Sequence, residues 1–282
     1  MKPFLKWAGG KRQLLPYIKE FINKENIGDG TYYEPFLGGG SIFFDLSYKT
    51  CVINDFNGEI INTYKVIKKS PKKLIDELKV HTKNHCKEYY YQVRALDRDL
   101  EKFNAMSNIE KAARTIYLNR TCYNGLYRVN RNGFFNTPMG RYVNPLICDE
   151  ENIMEISKFL NDNDIKISSL DFEKAVATAK TGDWIYFDPP YDYEDGGFVN
   201  YVKEGFGHKE LERLKKLCDC LISRGCNVLI SNNDTKVVRE LFSSNSNYEI
   251  VYETKTIKAN RNITSKKERK KVDEVLIYGR KK

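Results

Sequence analysis

No stretch of this sequence is apolar for long enough to cross a bilayer. A span needs roughly 18 consecutive apolar residues, and charged side chains interrupt every hydrophobic run before that length. The first residues, Met1-Lys2-Pro3-Phe4-Leu5-Lys6, meet a charge before a signal-peptide core could form. Cys-x-x-Cys is missing and the seven cysteines are an odd number, so we expect reduced thiols in a cytoplasmic protein. The segment His81-Thr82-Lys83-Asn84-His85-Cys86 lacks the further ligands and the glutamate of a zinc site. It reads as a solvated helix face, and no metal is expected. Internal repeats and low-complexity tracts are also missing.

What is present is an ordinary globular composition, 41% hydrophobic and 30% charged. At 282 residues the chain can form one large domain or two smaller ones with an ample core. The net charge of +9 is unevenly spread. Residues 111–141 hold six basic residues and no acidic one, and residues 258–271 hold seven against the single Glu268. Together the two windows carry +12, which leaves −3 for the rest of the chain. Charge segregated in this way points to a polyanionic partner. Part of the second window also reads as a plain solvated run.

The apolar run Trp184-Ile185-Tyr186-Phe187 predicts a strand, and Asp188-Pro189-Pro190-Tyr191 ends it, because proline fixes φ and removes the N–H donor. A carboxylate is thereby delivered to the carboxyl end of a sheet strand, where open α/β sheets bind ligands. Asp188, the Pro189 carbonyl and the flat ring of Tyr191 suit a planar group carrying an NH2, such as adenine. The same four residues would also serve as a simple strand-ending turn.

Earlier in the chain, Trp7-Ala8-Gly9-Gly10-Lys11 sets a flat ring and a cation around bare backbone. The spacing predicts a helix over 13–21. Strand 31–36 then runs into Leu37-Gly38-Gly39-Gly40-Ser41 and a helix at 42–46, the opening of a nucleotide-binding α/β unit. It is not a P-loop, because no Gly-Lys-Ser/Thr closes it, and Phe43 stands where a dinucleotide fingerprint has its third glycine. Strand 51–53 ends at Asn54-Asp55, where such folds hold ribose hydroxyls, and where a helix cap is also common. A helix follows at 57–69. From 70 to 149 the α/β rhythm stops, with helices expected at 71–79, 88–103 and 109–119. Asn-Gly pairs at 124–125 and 132–133 then enclose a hairpin crowded with Arg, Asn and Tyr, side chains that pair with or wedge between bases. Its guanidinium groups meet no acid nearby, so Arg128 is expected to be free for a ligand. Strand 165–170 leads into Asp171-Phe172, an acid and ring that can clasp a purine, and a helix to 179. A loop at 193–207, helix 208–223, strand 227–231, helix 235–242 and strands 249–255 and 274–278 complete the reading.

Taken together, Lys6 to Lys11, Glu34-Pro35-Phe36 with its glycine loop, Asn54-Asp55, Tyr123-Asn124-Gly125-Leu126-Tyr127-Arg128, Asp171-Phe172 and Asp188-Pro189-Pro190-Tyr191 resemble the Dam-type DNA adenine methyltransferases. They cover both ends and the middle of the chain in that family's order, with Leu37 a small departure in the glycine loop. The Asp-Pro-Pro-Tyr motif also occurs in RNA and protein-glutamine methyltransferases; the tryptophan–glycine–lysine opening and the Tyr-Asn-Gly run are more specific. The resemblance implies an α/β fold, a Rossmann-like sheet binding S-adenosylmethionine at 1–60 plus 146–282, with a mainly helical DNA target-recognition domain inserted at 61–145. It implies that Trp7, Ala8, Gly9, Lys11, Pro35, Phe36, Gly38 and Ser41 line the cofactor, that Asp55 holds its ribose, and that Asp171 and Phe172 hold its adenine. Asp188 would stand at the junction with the substrate, and Asp188, Pro189, Pro190 and Tyr191 would act on it. Lys6, Arg120, Tyr123, Asn124, Leu126, Arg128, Asn136, Pro138 and Arg141 would meet double-stranded DNA.

The implied reaction is methylation of adenine N6 within GATC, by a monomer from a prokaryotic cell or phage. A restriction endonuclease of the same site is the implied companion, without direct contact. Methylation of RNA adenine, or DNA binding without catalysis, are the alternatives. A zinc deaminase is disfavoured, because His-x-Glu with Pro-Cys-x-x-Cys is missing.

Overall fold

The computed structural model describes residues 1–7, 11, 14–25, 29–191, 206–243, 249–259 and 272–282. Ala8 and Gly9, most of the loop expected at 193–207, and most of the second basic window therefore lie outside the described residues. Seven strands form one sheet: β1 (Tyr32–Glu34), β2 (Thr50–Asn54), β3 (Asp164–Ser168), β4 (Trp184–Phe187), β5 (Asn227–Asn233), β6 (Ile250–Ala259) and β7 (Val272–Lys281). Their order is β3-β2-β1-β4-β5-β7-β6. The first five are parallel, and β7 runs antiparallel between β5 and β6. The chain steps outward from β1 to β3, returns to β4 on the other side of β1, and steps outward again. The β1/β4 border is thus a topological switch point, the place where such sheets hold ligands. No helix among the described residues is long and apolar enough to cross a membrane.

The helices are α1 (Leu15–Glu25), α2 (Ser41–Leu46), α3 (Gly58–Lys69), α4 (Pro71–Asn84), α5 (Lys87–Ala95), α6 (Leu100–Ala105), α7 (Asn108–Thr121), α8 (Glu150–Asp162), α9 (Phe172–Ala175), α10 (His208–Ser223) and α11 (Lys236–Leu241). Strand β4 reads as continuously apolar because both of its faces are covered. Trp184 and Tyr186 join the core under α1, α2, α3 and α8, while Ile185 and Phe187 join the core under α9, α10 and α11. The first of these cores continues without a break into α4, α5 and α7 through Leu74, Tyr90 and Ile116. The region between α3 and α8 adds no strand to the sheet but shares its core.

Several elements depart from the sequence expectation. The helix expected at 88–103 breaks into α5, a single turn at Leu96–Arg98, and α6. Asp99 caps α6 by accepting from Lys102 N, and buried Asp97 turns inward to accept from Phe135 N at 2.7 Å and Arg114 at 2.8 Å. Helix α8 was not foreseen, although Ile153, Ile156 and Leu160 bury one face at helical spacing. The helix expected to reach 179 is the single turn α9. Thr82, Lys83, Asn84 and Cys86 form the expected solvated face, but the two histidines turn inward. His81 stacks on Tyr117 at 4.7 Å with Nδ1 2.8 Å from the Tyr89 hydroxyl, and His85 Nδ1 lies 2.9 Å from the Tyr117 hydroxyl. Burial pushes the His81 ring down to about 4, so it is a neutral joint between α4, α5 and α7.

Candidate active site

At the carboxyl end of β1 the chain turns through Pro35-Phe36-Leu37-Gly38, and buried Asn54 pins the turn in place. Its Nδ2 donates to the carbonyls of Pro35 and Leu170, both at 3.0 Å, and its Oδ1 accepts from Ser168 Oγ and Leu170 N, both at 2.8 Å. One amide thereby joins the ends of β1, β2 and β3. Gly38 has φ +50 and donates its N–H to Asp55 Oδ2 at 2.8 Å, while Asn57 N donates to Oδ1 at 2.8 Å. Burial pushes the Asp55 carboxyl up to about 6 against these two amides. A Cβ on Gly38 would fall 2.6 Å from the Trp7 indole nitrogen, so both its φ and its neighbour demand glycine. Ser41 opens α2 directly after this turn.

Phe36 packs against Phe172 at 5.5 Å and Phe206 at 5.7 Å. Asp171 caps α9 by accepting from Glu173 N at 3.0 Å. Both of its oxygens also accept from Arg213 at 3.2 Å, and that guanidinium lies 4.9 Å over the Phe172 ring. Arg213, on α10, had no part in the sequence reading.

Asp188 stands at the end of β4. Its Oδ1 accepts from Ser231 Oγ at 2.9 Å and from Lys11 Nζ at 3.1 Å. Ser231 Oγ is in turn 2.9 Å from the Tyr186 hydroxyl. Burial pushes the Asp188 carboxyl up, and Lys11 followed by Ser231 holds it down. Buried Lys11 also lies 4.1 Å over the Tyr191 ring and 3.9 Å from Glu274 Oε2. The Tyr191 hydroxyl donates to that same oxygen at 3.1 Å. Pro189 is buried and Pro190 half-buried beside it. On β1, burial pushes the Glu34 carboxyl up to about 8, with the Tyr32 hydroxyl donating to it at 2.9 Å. Such a group is largely neutral at neutral pH. The cluster offers fixed acceptors and a ring to a planar amine, with only one Asp188 oxygen engaged by these partners.

The target-region residues meet on a layered hairpin. It is held by bridges between Cys122 and Met139 and between Val129 and Phe135, with Tyr123 N donating to Pro138 O at 2.8 Å. Tyr123, Asn124, Arg128, Pro138 and Arg141 are exposed, and Leu126 and Asn136 half-buried. Asn124 and Gly125 both take positive φ, 53 and 66. Arg128 is not free as expected: its Nε donates to Asn136 Oδ1 at 2.8 Å. Arg120 is half-buried and donates to Phe4 O at 2.9 Å. Lys6 is drawn to the hairpin by buried Asn119, which accepts from Lys6 N and donates to Lys6 O at 2.7 Å each, and donates to Gly125 O at 3.1 Å. The Lys6 ammonium lies 3.9 Å over Tyr142. Trp7 connects the two regions, packing on the Gly38 turn and at 5.5 Å from Tyr127. Glu274, Ser231 and Asn119 went unread in the sequence, since each acts through a neighbour distant in the chain.

Residues 7–263 match the family described as D12 class N6 adenine-specific DNA methyltransferase. The chain is 44% identical to the Type II methyltransferase M1.LlaDCHI of Lactococcus lactis subsp. cremoris, over 99% of this chain and 96% of that one. It is 40% identical to the Type II methyltransferase M.MjaIII of Methanocaldococcus jannaschii, over 83% and 84% of the two chains. It is 34% identical to the DNA adenine methylase of Escherichia coli K12, over 98% and 94%. The chain belongs to the D12 class of N6 adenine-specific DNA methyltransferases.

Proposed function

We propose that this enzyme carries the methyl group of S-adenosylmethionine to N6 of an adenine turned out of duplex DNA, within GATC. The observation that carries the reading is Asp188 at the sheet's switch point, with Oδ1 fixed by Lys11 and Ser231 and the Tyr191 ring close by. Residues 61–145 would read the DNA, and 1–60 with 146–282 would hold the cofactor and the chemistry. On this reading the enzyme is a monomer. The relatives named Type II methyltransferase support a place beside a restriction endonuclease of the same site, without direct contact.

The residues fit S-adenosylmethionine. The Gly38 turn is a cradle in which a Cβ would collide with Trp7, and Asp55 beside it keeps a carboxylate where a ribose diol donates. Phe172, packed on Phe36 beside Asp171, suits an adenine; Pro35 lies in the same turn, Ser41 follows it and Trp7 packs on it, while Lys11 stands at Asp188. Ala8 and Gly9 belong to this opening but lie outside the described residues. When bound, the cofactor supplies an electrophilic methyl group carried on a sulfonium.

The chain's own task is to prepare the amine. The lone pair of adenine N6 is delocalised into the ring. With Asp188 accepting one amine hydrogen and the Pro189 carbonyl the other, that pair is localised toward the donor. The positive charge developing on N6 is met by a half-buried carboxylate, where electrostatic stabilisation is worth more than in water. Fixing both partners in line supplies a further share of the acceleration. The Tyr191 ring holds the base, which must leave the duplex because its amine is paired there. On the hairpin, Arg128 suits guanine through two parallel hydrogen bonds, with Tyr123 as wedge and Leu126 beside it. That combination supports GATC.

The test is methyl transfer from labelled S-adenosylmethionine to duplex DNA and to RNA, followed by nucleoside mass spectrometry and methylation-sensitive sequencing. The reading expects N6-methyladenine in DNA at GATC. Methylated RNA alone, or DNA binding without transfer, would overturn it.

A further inference from the structure

We propose that Glu274, on β7, is the positioning residue of the acceptor cluster: one carboxylate that holds Lys11 and Tyr191 together and so leaves Asp188 Oδ2 facing the base. The proposal rests on the methyl-transfer reading above and adds a residue outside all of the motifs that carry the resemblance. Glu274 is only 8% exposed, and its Oε2 accepts from the Tyr191 hydroxyl at 3.1 Å while lying 3.9 Å from Lys11 Nζ. Lys11 in turn reaches Asp188 Oδ1 at 3.1 Å and covers the Tyr191 ring at 4.1 Å. Lys11, Glu274 and Tyr191 thus contact one another in a closed triangle, and Asp188 joins it through Lys11.

Topology explains how a residue so near the end of the chain arrives there. The parallel strands deliver their carboxyl ends to the site, and β7 is antiparallel to β5, so β7 brings its beginning to that edge. Asn233 stands opposite Glu274, and Ser231 opposite Leu276, on that strand pair. The pair β5 and β7 therefore supplies Ser231, which locks Asp188 Oδ1, and Glu274, which restrains the other lock, Lys11.

Without Glu274, no second carboxylate among the described residues balances Asp188 at the Lys11 ammonium, and the cation can cover Oδ2 as well as Oδ1. That is the oxygen the amine needs. The Tyr191 hydroxyl would lose a buried acceptor, and its ring would be less firmly held. One ammonium between two carboxylates also leaves the cluster one negative charge in excess, which favours the cation developing on N6.

The test uses the full-length chain as Glu274→Gln and Glu274→Ala. Glutamine keeps an oxygen for the Tyr191 hydroxyl and removes the charge opposite Lys11. Glu274→Ala is expected to slow single-turnover methyl transfer roughly 100-fold, as for a misplaced reacting group, with the KM for DNA within roughly threefold of the parent. Glu274→Gln is expected to recover part of that loss. The second readout is carbon-13 NMR titration of the Asp188 carboxyl in the cofactor-free enzyme, assigned with Asp188→Asn. Lys11, Ser231, Tyr186, Tyr191, Glu34 and Glu274 are the groups that face it. Removing the Glu274 charge should move that titration to lower pH. Transfer by a folded Glu274→Ala within threefold of the parent, or an unmoved Asp188 titration in Glu274→Gln, overturns the proposal. A parent enzyme that methylates no DNA overturns the methyl-transfer reading instead, and the titration still decides the role of Glu274.

Discussion

Replacing Arg128 with alanine removes an exposed guanidinium whose Nε is already anchored on Asn136 Oδ1 at 2.8 Å. A bidentate contact from arginine to guanine discriminates by about 1–3 kcal/mol, which is roughly 5- to 150-fold at about 1.4 kcal/mol per tenfold. Arg128→Ala should lower kcat/KM by that factor on the proposed site, and much less on duplexes already altered at the guanine it reads. The anchor gives a second, smaller expectation. Asn136→Ala keeps the guanidinium but lets its plane swing, so binding must order it, at about 0.5–1.5 kcal/mol for a mobile side chain. That is roughly 2- to 12-fold, with the same base preference retained. The assay is kcat/KM on GATC duplexes and every single-base variant, for parent and both substitutions. If Arg128→Ala lowers all duplexes in equal proportion, Arg128 is a phosphate clamp and the reasoning fails.

Asp55→Ala should weaken S-adenosylmethionine binding about tenfold or more, as for a lost hydrogen bond to a charged group. The parent's affinity should fall as pH drops through about 6, where the carboxylate is neutralised; calorimetry with flat pH dependence and unchanged mutant affinity would remove Asp55 from the site. Burial raises Glu34 from its ordinary 4.5 to about 8 in the folded state, so the native protein binds this proton more tightly than the unfolded chain, and stability falls as pH rises across that window. Glu34→Gln, neutral throughout, should lose less stability than the parent between about pH 5 and about pH 8 in urea unfolding, and equal losses would contradict the assignment.

The motifs that end strands were legible because the physics there is local. Two prolines stop β4 wherever it sits, and its unbroken apolar run announces burial on both faces. Gly38 and Asp55 were legible for the same reason, Gly38 lying one turn beyond its strand and Asp55 directly after its own. The partners that complete the site were not. Ser231 reaches Asp188 through the register of β4 against β5, and Glu274 reaches Lys11 through that of β5 against β7, and no local pattern encodes either. Arg128 was expected to be free because no acid lies near it in sequence, but its partner is the neutral Asn136 across the hairpin, which a count of charges does not see. The break after α5 follows from Asp97 turning inward to Arg114, a contact between helices. Helix α8 did carry its signal, in Ile153, Ile156 and Leu160, but it falls between 149 and 165, where no element was expected.

The acceptor-cluster mechanism depends most directly on Asp188 as the acceptor of the adenine amine. Single-turnover methyl transfer by Asp188→Ala, measured with saturating S-adenosylmethionine and a GATC duplex, tests it alongside DNA affinity for the same variant. We predict that transfer is abolished while the fold and DNA binding are retained. Transfer within a few-fold of the parent would contradict the acceptor-cluster mechanism.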